Sequence, residues 1–123
     1  MQASHETDSF RELHESTFRR RATAPGSELP VDYASTLVPL SIVLAESGEA
    51  YTYSIRDGRL ELGPGADRAV TQVELSRASF EGLSRDVESS AGLIYGARAR
   101  ALRGSLMDFM QWEPALRWLY TGR

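Results

Sequence analysis

The stretch Ala-Tyr-Thr-Tyr-Ser-Ile-Arg-Asp-Gly-Arg-Leu-Glu-Leu-Gly, from Ala50 to Gly63, decides the fold of this chain. Apolar and polar residues alternate on both sides of the dipeptide Asp57-Gly58, a pattern typical of two β-strands. Aspartate and glycine both tolerate positive φ angles, which a two-residue type I′ turn requires at its central positions. The stretch therefore predicts a β-hairpin.

One face of this hairpin is apolar, because side chains on a strand alternate between the two sides of a sheet. The apolar face carries Tyr51, Tyr53, Ile55, Leu60 and Leu62. The opposite face carries Thr52, Ser54, Arg56, Arg59 and Glu61. An apolar sheet face has to be covered, so the sequence predicts a small α+β domain with a one-sided sheet.

The length and composition are those of one ordinary globular domain. The 123 residues are 41% hydrophobic and 25% charged, and no apolar run approaches the roughly eighteen residues that span a bilayer. We expect a single domain over residues 1–123, with an N-terminal helix and loop over 1–36 and the sheet and helices over 37–123. No secretory signal pattern is visible from Met1 to Thr7, so a cytoplasmic location is expected.

The composition excludes several kinds of chemistry. Cysteine is absent, which rules out disulfides, thiolate nucleophiles and thiolate metal ligands. All 14 basic residues are arginines, so neither a Schiff-base lysine nor a phosphate-binding lysine of a P-loop exists. A formal net charge of −3 lacks the positive surface that nucleic-acid binding needs, and no nucleic-acid partner is expected.

The histidines and tyrosines show no pattern of a catalytic or metal site. His5 and His14 are nine residues apart, which on a helix places them on opposite sides, and neither begins a His-x-Asp motif. We therefore expect no metal and no other cofactor. No Gly-x-Ser-x-Gly motif is present, and Tyr51 and Tyr53 are interpreted as core or sheet aromatics rather than catalytic acids. No catalytic residue is expected.

In the first part of the chain, residue periodicity and turn residues predict a helix, a loop and two strands besides the hairpin. The helix covers His5 to Arg21, with Phe10, Leu13 and Phe18 on one side, and the loop covers Ala22 to Pro30. The strands cover Leu37 to Ala45 and Ala69 to Leu75. Three of these first four strands are expected to form a meander.

After these strands the apolar period changes to that of helices. Helices are predicted from Ser76 or Ser79 through Val87, over Ala91 to Leu102, and from Pro114 through Tyr120, with a fifth strand over Gly104 to Met107. In the last helix Trp112, Leu116 and Leu119 fall on one stripe and Trp118 on another.

The order of these elements resembles the sterol carrier protein type 2 family of small lipid-binding domains, from about Val38 to Tyr120. The segments that carry the resemblance are Tyr51 to Gly63, Val73 to Ser76 leading into the Phe80 helix, and Ala99 to Leu106. The resemblance implies a five-stranded, mostly antiparallel sheet with helices over one face, enclosing an apolar tunnel. Asp108 to Pro114 departs from the glycine pattern that family members often carry, so a remodelled tunnel mouth is expected.

The resemblance also implies a function, that of a non-catalytic domain holding a sterol, a fatty acid or an acyl-CoA. The residues expected to line the tunnel are Tyr51, Tyr53, Leu60, Leu62, Val73, Phe80, Leu83, Ile94, Leu106, Phe109, Met110, Trp112 and Leu116. Arg98, Arg100 and Arg103 are candidates for holding the phosphates of an acyl-CoA, because guanidinium groups make bidentate phosphate contacts. Alternatively, they complement the carbonyl end of the helix predicted before them.

A second hypothesis stays open at this point. Similar modules precede phytanoyl-CoA dioxygenase-like enzymes, so the chain is alternatively an accessory docking domain of an iron(II)/2-oxoglutarate oxygenase, with a closed core and no ligand. Trp112 and Trp118 would then be interface anchors. Ordinary core packing explains the aromatic cluster of Phe109, Met110 and these two tryptophans equally well.

Overall fold

The computed structural model describes residues 10–122, and its central element is a five-stranded sheet. The strands are β1 (Leu40–Leu44), β2 (Ala50–Arg56), β3 (Arg59–Pro64), β4 (Thr71–Leu75) and β5 (Ala99–Arg103). Their order across the sheet is β3-β2-β1-β4-β5, with β1 and β4 parallel and the other neighbours antiparallel. The predicted α+β fold with a mostly antiparallel sheet is confirmed, and β1 to β3 form the predicted meander.

The β2–β3 hairpin has the predicted turn. Asp57 and Gly58, the two residues between the strands, have φ angles of 54° and 79°. Positive φ at both central positions is characteristic of a type I′ turn. Tyr53 pairs with Leu62 across the strands, which is the register that the apolar face requires.

Six helical segments lie within the described part of the chain. The first, α1, covers residues 10–23 and is π-helical over Leu13–Phe18 and α-helical over Arg19–Thr23. The others are α2 (Val31–Ala34), α3 (Arg77–Ser84), α4 (Ser90–Tyr95), α5 (Leu106–Gln111) and α6 (Glu113–Thr121). Of the two predicted starts of α3, Ser76 is correct: it is the N-cap, because its side chain accepts a hydrogen bond from the Ser79 N–H.

Of the elements predicted after α3, one helix is confirmed only in its first half and one strand is misplaced. The helix predicted over Ala91 to Leu102 ends early, and its second half is strand β5. Ala97 has a φ of 58°, a left-handed conformation that a right-handed helix cannot continue through. The backbone of Ala99–Arg103 pairs with β4, and this pairing overrides the helix propensity of alanine. The strand predicted over Gly104 to Met107 is instead a turn and the start of α5.

The predicted boundaries in the first part of the chain also change. Helix α1 continues beyond Arg21 to Thr23, and the part of the predicted helix that contains His5 lies outside the described residues. Strand β1 is shorter than predicted and starts after Pro39, which has no N–H to donate to a ladder. The short helix α2 was not predicted, because four residues are too few to show helical periodicity.

The core lies between the helices and the sheet face that carries Tyr51 and Tyr53. Its largest fully buried side chains are Trp112, Tyr53, Phe10, Phe18, Phe80 and Phe109. The polar face of the hairpin lies on the other side, where Thr52 Oγ1 donates to the carbonyl of Gly65 at 2.7 Å. The apolar core therefore places the candidate ligand site between the sheet and the helices.

Candidate functional site

Most side chains predicted to line a tunnel lie together in one continuous core. The buried members are Tyr51, Tyr53, Leu60, Leu62, Val73, Phe80, Leu83, Phe109, Trp112 and Leu116. Ile94 and Leu106 are partly buried and pack against this core, and Met110 is half-buried. Their contact with a ligand stays a prediction.

The core is closed at its centre. Tyr53, Val73, Phe109 and Trp112 are each 0% exposed. A side chain facing an open internal tunnel would expose surface to a water-sized sphere inside it, and these side chains expose none. Between α3 and α6, a cavity of about 10 Å³ touches Tyr120, which is at most enough space for one water. A lipid can enter this core only if something moves.

Aromatic rings of α1 occupy the space over the sheet. Phe10, His14 and Phe18 are each at most 1% exposed. The imidazole of His14 stacks on the ring of Tyr51 with centroids 4.2 Å apart and 13° between planes. Phe10 meets Phe80 of α3 edge-on, with centroids 4.8 Å apart. Helix α1 is therefore part of the wall of the candidate site.

A chain of hydrogen bonds crosses this aromatic region. His14 Nδ1 lies 2.7 Å from the carbonyl oxygen of Phe10, and His14 Nε2 lies 2.6 Å from the hydroxyl of Tyr53. The Tyr53 hydroxyl is 2.7 Å from that of Tyr120. A carbonyl only accepts, so Nδ1 of the neutral imidazole carries the hydrogen and Nε2 accepts. Tyr53 then donates to His14, and Tyr120 donates to Tyr53.

Burial keeps this network neutral. It lowers the pKa of His14 to about 4, because the imidazolium would lose its hydration. Burial likewise raises the pKa of Tyr53 and of Tyr120, which keeps both phenols protonated. Hydroxyls and an imidazole that are satisfied by one another can stabilise a core without performing chemistry.

A second tyrosine ties α1 to the sheet at the edge of the core. Tyr51 donates a hydrogen bond to Glu15 Oε2. Burial, together with this bond, raises the pKa of Tyr51 to about 12. The same bond lowers the pKa of Glu15.

Sequence reasoning missed the role of His14, although the signal was present. His14 lies midway between Phe10 and Phe18, so the three residues have the i, i+4, i+8 spacing of one helix face. The two flanking phenylalanines were predicted to share a side of the helix. A histidine at the intermediate position therefore belongs to the same buried face.

Because the imidazole of His14 is buried, the free energy of unfolding should depend on pH. Between pH 6.5 and about 4 the unfolded chain binds more protons at His14 than the folded chain, so stability is full above pH 6.5 and falls with pH. At pH 5 the expected loss is about 2 kcal/mol. Urea unfolding at pH 7 and pH 5 measures it, and His14→Gln should lose clearly less. An equal loss in both proteins would contradict this assignment.

The three arginines predicted to hold phosphates do not converge. Arg98 forms two hydrogen bonds with the carboxylate of Glu88, at 2.8 and 3.0 Å. Arg103, at the other end of β5, donates to the carbonyl of Ala69 at 2.5 Å. Arg100 is exposed in the middle of that strand. The alternative role at a helix end is wrong for Arg100 and Arg103, because they lie on a strand, while a phosphate contact stays a prediction.

A larger groove lies on the opposite face of the sheet. Its volume is about 570 Å³, and its lining includes Thr52, Ser54, Glu61, Asp67 and Arg68. Glu61 also pairs with Arg56 at 3.4 Å. Pro39, Leu62 and Pro64 add apolar surface to this lining. The groove is open to solvent, so it would bury an apolar ligand less completely than the space between sheet and helices would.

Two further features bear on the kind of site. Among residues 10–122, no group of three or more histidine, aspartate or glutamate side chains is placed to hold a metal ion. The same residues include no helix with the length and apolar character needed to cross a bilayer.

Comparison with known proteins identifies the fold. No protein-family model matches the sequence, and no curated protein matches it either. Among solved structures, the apo form of sterol carrier protein 2 from Yarrowia lipolytica has a TM-score of 0.66 at 15% identity, covering 85% of this chain and 88% of that one. The ubiquinone synthesis protein UbiJ-SCP2 has a TM-score of 0.59 at 11% identity, covering 89% and 88%.

The same fold also matches part of a larger protein. The sec-alkylsulfatase Pisa1 from Pseudomonas sp. has a TM-score of 0.51 at 15% identity, covering 68% of this chain but 14% of the sulfatase. The described chain is therefore a sterol carrier protein 2-like domain in its fold. Its association with a phytanoyl-CoA dioxygenase-like enzyme stays a prediction.

Proposed function

We propose that this chain is a non-catalytic lipid-binding domain that holds a sterol, a fatty acid or an acyl-CoA between the sheet and its helices. The observation that carries the proposal is the continuous apolar core on one face of a sterol carrier protein 2-like sheet. The groove on the other face mixes charged, polar and apolar side chains and is open to solvent, so it would bury an apolar molecule less completely.

Burial alone is sufficient for useful affinity. Transfer of an alkyl chain from water gains about 0.8 kcal/mol per methylene, so about ten methylenes give the 8 kcal/mol of a micromolar complex. No charged anchor is required, so the proposal does not depend on Arg98 and Arg103, which bond to Glu88 and to the carbonyl of Ala69. The ligand has to displace protein groups from the core, and this cost reduces the gain.

In this function the buried polar network stabilises the core and has no catalytic role. In the network of His14, Tyr53 and Tyr120, each side chain is hydrogen-bonded to another member. The low pKa of His14, about 4, makes its imidazole a weak base at neutral pH. These features fit a domain that binds without turning its ligand over.

A displacement titration tests this function. A fluorescent fatty acid is expected to bind at low micromolar concentration and to be displaced by cholesterol, stearate or stearoyl-CoA. Leu116→Trp, which overfills the core, should weaken binding, whereas Val87→Trp at a position 76% exposed should not. Absence of displacement by all three lipids up to their solubility would refute the proposal.

A further inference from the structure

The N-terminal part of α1 lies where a ligand of this core would have to lie. In residues 10–18, the rings of Phe10, His14 and Phe18 are buried in the core. They contact residues predicted to line the ligand site or adjoining it, namely Tyr51, Tyr53, Phe80 and Tyr120. We propose that residues 10–18 form a lid that leaves the sheet to admit the ligand, and that His14 is its latch. The inference rests on the proposed function and deepens it by naming what controls access.

The other walls of the site are also tied to the rest of the chain, but by bonds that do not respond to pH near neutrality. At the junction of α5 and α6, Trp112 Nε1 donates to the carbonyl of Val38 at 2.7 Å. The Tyr33 hydroxyl donates to the carbonyl of Gln111 at 2.7 Å and accepts from the N–H of Ala115. None of these three bonds involves a group that ionises near neutral pH. Opening through α5 and α6 would break all three.

The winding of α1 changes within the helix, and we place the boundary of the lid at this change. Its last turn, Arg19–Thr23, is α-helical and held in place by Arg21, which donates to the carbonyl of Leu119 at 2.6 Å. The preceding segment, Leu13–Phe18, is π-helical. A π-helix is a rarely adopted, less stable winding that occurs preferentially at functional sites. Phe18 and Arg19 themselves have regular helical dihedral angles, so the segment before residue 19 would move by losing its contacts with the sheet, with the last turn as its fixed base.

One hydrogen bond between the lid and the sheet depends on the protonation state of His14. His14 Nε2 accepts from Tyr53 only while the imidazole is neutral. The groups that face His14 from other elements are aromatic: Tyr51 and Tyr53 from β2, Phe80 from α3, and Tyr120 of α6 beyond Tyr53. On its own helix, Glu15 is engaged by Tyr51 and Arg19 adds positive charge. A protonated His14 would face aromatic rings with no carboxylate bonded to it, and release of the lid would return it to water.

The test uses the full chain and NBD-cholesterol, a neutral probe whose own charge does not change with pH. With pKa values of 6.5 for released and about 4 for buried His14, affinity is expected to rise about 20-fold from pH 7 to pH 5. Hydrogen exchange, corrected for the pH dependence of intrinsic rates, should show loss of protection over residues 10–18 at pH 5. Strands β1 and β2 should remain protected.

Three variants separate the lid from ordinary core packing. Phe10→Ala should bind the probe more tightly at pH 7, because the lid loses a buried ring. His14→Phe should bind more weakly at both pH values and lose the pH response, because the latch becomes a permanent apolar contact. Glu12→Gln, on the exposed side of α1, is the matched control and should behave as the parent chain does.

Several outcomes would overturn the inference, and they differ from failure of the function. If the probe binds with equal affinity at pH 7 and pH 5, and residues 10–18 stay protected from exchange, the chain is a lipid-binding domain without a lid. An undiminished pH response in His14→Phe removes the latch. Simultaneous loss of protection in α1 and the central strands shows global unfolding instead of lid opening. Absence of probe binding by the parent chain and by Phe10→Ala at both pH values overturns the proposed function and the lid together.

Discussion

Trp112→Ala is expected to lower the free energy of unfolding by about 3–5 kcal/mol, the range for removal of a fully buried large aromatic side chain. The indole is 0% exposed, and its centroid lies 6.2 Å from that of Tyr53. Its Nε1 donates to the carbonyl of Val38 at 2.7 Å. Alanine would leave both a cavity and an unpaired carbonyl. Urea unfolding of the isolated chain measures the loss.

Two control variants divide this effect into its parts. Trp112→Phe keeps much of the ring volume but leaves the Val38 carbonyl unpaired, for an expected loss of about 1–3 kcal/mol. Trp118 is partly buried and packs against the edge of the core, so Trp118→Ala should cost clearly less than Trp112→Ala. If the two alanine variants lose equal stability, Trp118 is a core residue and the oxygenase-docking hypothesis loses its separate anchor.

Gly104→Ala is expected to cost about 3 kcal/mol or more. Gly104 has a φ of +77°, and a Cβ there would lie 2.1 Å from Thr71 Oγ1 and 2.8 Å from Thr71 Cα. Thr71 is fully buried, donates to Asp108 at 2.5 Å and accepts from the Ser105 N–H. The turn between β5 and α5 therefore has no room for a side chain, and backbone strain adds to the steric clash.

The matched control for this turn is Gly58→Ala in the β2–β3 hairpin. Gly58 has a φ of +79°, but no atom lies within 4 Å of a Cβ built there. This variant isolates the cost of the left-handed backbone, about 1 kcal/mol. Thermal and urea unfolding of both variants should separate them by about 2 kcal/mol or more. Equal destabilisation would show that the contact with Thr71 is relieved without cost.

The parts of the fold that the sequence predicts best are those fixed by local chemistry. Asp57 and Gly58 both need positive φ to close the turn, and the alternation around them sets which side chains face the core. The N-cap Ser76 and the first-turn Pro114 likewise act within a few residues of themselves. Such signals are readable without knowledge of the rest of the chain.

The incorrect predictions concern segments whose structure is set by contacts with distant parts of the chain. Ala99–Arg103 has the composition of a helix but forms β5, because the free edge of β4 supplies backbone partners from a segment more than twenty residues earlier. The arrangement of the three arginines could not be foreseen for the same reason, since the change from helix to strand places Arg98 and Arg103 at opposite ends of β5. Most of the predicted lining residues do assemble in one core, because apolar periodicity reports burial. The spacing of Phe10, His14 and Phe18 indicates which face of α1 is buried, but the partners of that face, such as Tyr53 and Phe80, are set by distant parts of the chain.

The central claim is that an apolar ligand lies between the sheet and the helices, and isotope-filtered NOE spectroscopy tests it most directly. With uniformly ¹³C-labelled protein and unlabelled stearate, the proposed function predicts intermolecular NOEs from the ligand methylenes to the methyl groups of Val73 and Leu116. Both side chains are at most 1% exposed without ligand. NOEs confined to surface methyl groups such as those of Val31 and Val87, which are 80% and 76% exposed, or no NOEs at saturating stearate, would contradict the claim.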